Sequence, residues 1–238
     1  MSEPSEVLIE SAKAVQEVSK TTSNAIDAAK QAGGFIAKFI SGPLEQGMGI
    51  FEDKLRYMRW ERQVRFMQRA NEVLKEIGLT SPNKTIPLKI AIPLLQGASI
   101  EEDDSLQDRW VNLLVNAGNA GSHIEIHRSF IEVLSQINSL EAKILDVLYS
   151  LPFEKVRHQG IYTGDLPNSA RLISDDEREN LNNIKESLSE EVILALANLA
   201  RVGCITGGLT WGGGESFNPV NVTVFGKAFV QACRIKST

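Results

Sequence analysis

The stretch from Ile86 to Gly118, IPLKIAIPLLQGASIEEDDSLQDRWVNLLVNAG, constrains the fold most, because its apolar residues recur at helical spacing along its whole length. Leu88, Ile90, Ala91, Ile92, Leu94 and Leu95 are apolar on nearly every side, as in a helix buried among others. Pro87 suits a first helical position, whereas Pro93 removes a helix hydrogen bond and predicts a kink or a division. Ser99 precedes Glu102 by the three residues of a capping box, which predicts a helix start. Glu101, Glu102, Asp103 and Asp104 then fill a first turn, where the helix dipole favours carboxylates. Leu106, Trp110, Leu113, Leu114 and Ala117 share one face, and Gly118 can take the left-handed conformation of a C-terminal cap. The stretch reads as two short helices joined near Gln96 to Ser99, at the centre of a helical core. The carboxylate run is read as a solvated helix start, not a Mg²⁺ or Ca²⁺ site, since consecutive helical residues point in different directions.

The same residues carry a resemblance. Pro87-Leu88-Lys89, Ile92-Pro93-Leu94-Leu95, Ala98-Ser99-Ile100-Glu101 and Leu106 through Leu114 resemble the core of the abortive-infection alpha (Abi-alpha) family of bacterial proteins. The similarity continues through His127 to Leu134 and Leu140 to Leu145, and covers most of residues 40 to 235. It implies a cytoplasmic role in anti-phage defence, stopping growth or killing the infected cell before phage are released. It implies no reaction, because the shared residues are packing residues.

At 238 residues the chain is long enough for one large domain or two small ones. A net charge of −5 argues against indiscriminate coating of nucleic acid and leaves room for a local basic patch. The opening MSEPSEVLIE lacks the basic start and apolar run of a secretory signal, and the two cysteines, Cys204 and Cys233, form no short metal-binding pair. A reducing cytoplasm is the expected compartment. Residues 1–41 read as a helical arm rich in Ala, Ser, Thr and Lys that docks on the core. Its alternative is a membrane-surface helix within residues 24–51, where Phe35, Ile36, Phe39 and Ile40 cluster around Lys38.

Residues 42–137 form the expected helical core. From Ile50 to Ile77 one helical stripe holds Tyr57, Trp60, Val64, Met67 and Leu74, and Gly78 ends the helix. Roughly opposite lie Arg59, Arg62, Arg65 and Arg69, preceded by Lys54 and Arg56. This row is the candidate anion- or partner-binding site: guanidinium groups at successive turns can grip phosphates. Its alternative is pairing with acidic surfaces of the same fold, such as Glu101 to Asp104. His123 and His127 are four residues apart but lack the second-position Glu of an HExxH motif, so neither a metal nor a cofactor is expected.

Residues 138–238 read as a second unit. Asn138 and Glu141 have capping-box spacing at the head of an amphipathic helix that Pro152 closes. Residues 153–173 read as a loop, and Asp175 to Leu188 as helical in bias. Ser189 starts a helix that Gly203 ends; Cys204 to Thr206 and Val220 to Val224 pair across the Gly-rich Gly207 to Gly214; Val224 to Arg234 returns to helix. The expected fold is thus mainly α, a helical N-terminal and central core with a C-terminal winged-helix-like α+β unit. The helix after Ser189 carries Glu190 and Glu191 at its start and only Arg201 as a base, which disfavours reading DNA. No nucleophile, base and orienting group occur together in a recognisable motif. The expectation is a non-enzymatic effector or interaction protein whose partner is a host or phage protein, with nucleic-acid binding through residues 54–69 as runner-up.

Overall fold

The computed structural model describes residues 34–40, 60–174, 176–177, 188–210 and 212–235. Among these, helices predominate: α1 (Trp60–Glu76), α2 (Leu88–Ile100), α3 (Asp104–Ala117), α4 (Arg128–Leu134), α5 (Ser139–Leu148), α6 (Phe153–Gln159), α7 (Glu190–Arg201) and α8 (Val224–Ala232). Four short strands, β1 (Ile161–Tyr162), β2 (Arg171–Leu172), β3 (Ile205–Leu209) and β4 (Glu215–Val222), make an antiparallel sheet in the order β2-β1-β4-β3. No described helix is long and apolar enough to cross a membrane.

α3 is the hub. Leu106, Trp110, Val111, Leu113, Leu114 and Val115 are all buried, so the helix is covered on more than the one face its strongest periodicity picks out. α1, α2, α4, α5 and α8 all pack on it. Its partner α2 runs unbroken through Pro93 to Ile100, against the expected division near Gln96 to Ser99. A mid-helix proline costs about 3 kcal/mol. Burial of Leu94 and Leu95 beside it, at about 1.5 to 3 kcal/mol each, together with Ile90, Ala91 and Ala98, outweighs that cost. Gly97 keeps the helix close to α3: the Trp110 indole lies against its bare backbone, where a Cβ would come 2.7 Å from Cζ2 and 2.9 Å from Cζ3.

The expected Ser99 capping box does not form. Ser99 lies in the last turn of α2, with its hydroxyl donating to the Gln96 carbonyl at 2.5 Å. The N-cap of α3 is Asp103, whose carboxylate accepts from Ser105 N at 2.9 Å and Leu106 N at 3.1 Å. The Ser105 hydroxyl also donates to it, and these bonds hold its pKa below the usual value. Between the helices, one Glu101 oxygen accepts from the backbone N–H groups of Glu102 and Asp103 at 2.9 and 3.0 Å. The carboxylate run thus straddles the connection, and only Asp104 belongs to the first turn of α3.

Gly118 does stop α3, but with φ −88°, not in the left-handed region. Glycine is needed there for space, since a Cβ would lie 2.8 Å from the Phe39 ring and 3.0 Å from Pro82. Gly78 and Gly203 are the left-handed caps, at φ 75° and 79°. Each follows its helix with the crossed pair of bonds of a Schellman motif: Leu79 N to Leu74 O and Gly78 N to Lys75 O, then Cys204 N to Leu199 O and Gly203 N to Ala200 O.

The Asn138–Glu141 capping box is complete. Pro152 follows α5 as expected, but residues 153–173 are not the expected loop: they hold α6, β1 and β2. Pro152 provides the N-cap position of α6, and Val156 anchors that helix in the core. β3 and β4 form the expected hairpin, pairing Ile205 with Val222 and Leu209 with Glu215 around a register shift. Tyr149 ties this region together. Its hydroxyl bonds the Cys204 carbonyl and accepts from Thr223 N at 3.1 Å, while Gly226 leaves room for it. Burial pushes the Tyr149 pKa up to about 12.

Of the N-terminal arm, residues 34–40 are described. Phe35, Ile36 and Phe39 are buried in the core cluster, and Ile40 bridges to Ile86. The rest of the arm and Asp175 to Leu188, apart from 176–177 and 188, lie outside the described residues.

Candidate functional surface

α1 buries Phe66, Met67, Ala70, Val73 and Leu74 and turns its arginines along the side of α3. Arg62 meets Glu102 at 2.7 Å, Arg65 meets Asp104 at 3.2 Å, and Arg69 grips Asp108 through two bonds of 2.7 and 3.1 Å. Partners differ by 39 or 40 positions at every rung, so α1 and α3 run side by side in the same direction, in step. Arg69 also lies 3.6 Å from Glu72. The Asp108 bonds hold the Arg69 pKa above its usual value. Arg59, the fourth member of the row, and Tyr57 lie outside the described residues.

This ladder is neutral rung by rung and largely exposed, which makes it a weak contributor to stability, about 0 to 1 kcal/mol per pair. It also changes the chemistry of the row. An incoming phosphate meets three guanidinium groups already facing carboxylates of α3 and of the connection before it, and must displace those carboxylates or tolerate their charge.

Further along α3, toward its C-terminal end, lies a polar seam that sequence reasoning missed. Arg109 is buried; it donates to the Ala142 carbonyl at 3.1 Å and pairs with Asp146, which also takes Arg234 at 2.6 Å. Asn112 donates to the Cys233 carbonyl at 3.1 Å, and Asn116 to those of Ala232 and Arg234 at 2.8 and 2.9 Å. These amides satisfy the carbonyls that the end of α8 leaves without helical partners. The available signal was Arg109, Asn112 and Asn116 at three- and four-residue spacing in the half of the helix that is otherwise apolar.

The two cysteines are buried free thiols whose pKa values burial pushes up to about 12, so they stay protonated and unreactive. His123 sits in the left-handed region at φ 52°, and His127 packs edge-on against Phe130 at the start of α4. Among the described residues no group of three or more His, Cys, Asp or Glu side chains is placed to hold a metal ion. On α7, the solvent side shows Glu190, Glu191, Leu194 and Arg201; Leu194 is 71% exposed and Leu209 on the hairpin 76%.

The family model described as abortive infection alpha matches residues 61–233, from the first turn of α1 to the residue that follows α8. The chain belongs to that family. Comparison with curated proteins and with solved structures finds no match. The matched span of this Abi-alpha chain takes in both the helical core around α3 and the sheet-bearing C-terminal part, which the Asn112, Asn116 and Arg109 seam joins. Membership associates the chain with abortive infection, a form of phage defence.

Proposed function

We propose that this Abi-alpha chain acts in the cytoplasm as a non-enzymatic effector of abortive infection, through contact with a host or phage protein. The arginine ladder carries this reading against nucleic acid: among the described residues of the row, Arg62, Arg65 and Arg69 each already face a carboxylate, that of Glu102, Asp104 or Asp108. A second feature agrees with it. We read residues 138–238 as a winged helix, supported by α7 leading into the β3–β4 hairpin and by β4 lying between β3 and β1. On that reading α7 is the helix that would enter a DNA groove, and it presents Glu190 and Glu191 to the phosphates. The membrane alternative loses support too, because Phe35, Ile36 and Phe39 are spent in the core.

An infection assay with and without the gene, across a phage panel and several multiplicities of infection, tests the defence role. Reduced phage yield with loss of infected hosts is expected; unchanged yield and survival overturn it. Purified chain should leave duplex DNA unshifted at physiological salt. Salt-sensitive binding would move the nucleic-acid reading ahead of protein contact.

A further inference from the structure

The outer stripe of α7 reads Glu190, Leu194, Ala197 and Arg201, at the i, i+4, i+7, i+11 spacing that puts all four on one face. The inner face, Val192, Ala195, Leu196 and Leu199, is fully used by the core. Leu194 is therefore an apolar side chain that the fold itself does not need to place there. The order along the stripe is acid, large apolar, small apolar, base. Glu190 and Arg201 lie equally far from the midpoint between Ala195 and Leu196, and so do Leu194 and Ala197. A half-turn about that midpoint lays each residue over its complement, which is the condition a two-fold interface imposes.

We propose that α7 is a homodimerisation surface. Two copies of this chain pair their α7 helices antiparallel about a two-fold axis, with Leu194 of each seated on Ala197 of the other and Glu190 against Arg201. The charges are available for this. Among the described residues Glu190 has no side-chain partner, and Arg201 bonds only the neutral amide oxygens of Asn198, at 2.7 Å, and Gln136, at 2.9 Å. Within one helix Glu190 and Arg201 are about 16 Å apart along the axis, too far to pair with each other. Glu191 flanks the same end and adds to the attraction for a base. Phosphate is repelled by this face, and an unrelated partner would impose no two-fold order on it. One helix pair buries less than the roughly 1,200 Å² at the lower edge of stable interfaces, so the dimer is weak and concentration-dependent. The inference does not rest on the defence role.

Sedimentation equilibrium of the full chain over a concentration series tests it, and a reversible monomer–dimer equilibrium is expected. Glu190→Arg and Arg201→Glu each turn two attractive pairs into two repulsive ones and should weaken the dimer about tenfold or more. Mixing the two variants in equal amounts should restore it, because opposite charges then meet at both ends of the helix pair. Leu194→Gln, at an exposed position that leaves the core intact, should weaken the parent dimer as well. Far-UV circular dichroism and the unfolding midpoint confirm that each variant is folded. A chain that stays monomeric at every concentration, a dimer indifferent to these three substitutions, or a mixture that stays monomeric would each overturn the proposal.

Discussion

Replacing Gly97 by alanine should destabilise the protein, although the same change in an ordinary helix stabilises it. Alanine is favoured over glycine in a helix interior by about 1 kcal/mol. Here the added methyl would sit 2.7 and 2.9 Å from Trp110 Cζ2 and Cζ3 and closer still to Cη2. Trp110 is 1% exposed, so its ring cannot swing away into solvent. Overpacking of this kind costs about 3 kcal/mol at the upper end of its usual range. The net loss is about 2 kcal/mol, a fall in Tm of roughly 4 to 8 °C for a chain of this size. A double-mutant cycle isolates the cause. In a Trp110→Leu background, itself destabilised by about 2 to 4 kcal/mol, the ring is gone and Gly97→Ala should stabilise by about 1 kcal/mol. The coupling between the sites is then about 3 kcal/mol. Urea unfolding followed by far-UV circular dichroism measures all four proteins. A neutral or stabilising Gly97→Ala in the parent, or equal effects in both backgrounds, would refute the packing of α2 on α3 described above.

Changing Arg62, Arg65 and Arg69 together to Gln should cost no more than about 0 to 1 kcal/mol per pair, and the difference from the parent should shrink in high salt; a cooperative loss of folding would show the ladder to be structural. Tyr149→Phe takes the acceptor from Thr223 N and leaves the Cys204 carbonyl with the Thr223 hydroxyl as its side-chain donor, and should cost about 1 to 3 kcal/mol by denaturant unfolding. Neither Cys204 nor Cys233 should react with a thiol reagent at neutral pH until denaturant is added, and rapid labelling of the native protein would contradict their burial. Asp103→Ala should cost about 1 kcal/mol at neutral pH through loss of the α3 cap. Because the folded Asp103 pKa lies below its ordinary 3.8, the parent's advantage is present above that value and is lost as pH falls through the folded one. A parent-minus-variant difference that persists at the lowest pH would argue against the carboxylate as cap.

Much of this structure is written in residues that interact within a few positions of one another. The Asn138–Glu141 box, the Ser189 cap, the left-handed turns at Gly78 and Gly203 and the hairpin between β3 and β4 are local hydrogen-bond problems with local solutions. The row of arginines was legible for the same reason, since helical spacing alone aligns Arg62, Arg65 and Arg69. What they face was not, because Glu102 in the connection before α3 and Asp104 and Asp108 on α3 lie 39 or 40 positions away. Tertiary contact also decided each departure from local expectation. α2 continues past Pro93 and Ser99 because burial of Leu94, Leu95 and Ala98 outweighs the lost hydrogen bond. Gly118 caps α3 without the left-handed φ and lacks a side chain because of the Phe39 ring, and α6 forms within the 153–173 stretch that read as a loop, held by Val156 in the core. Arg109 is buried beneath Asp146, itself shared with Arg234. Periodicity and caps determine which segments become helices, since those energies arise within a turn or two of the chain. The lengths of those helices and the partners of their polar groups depend on side chains that only the folded arrangement brings together.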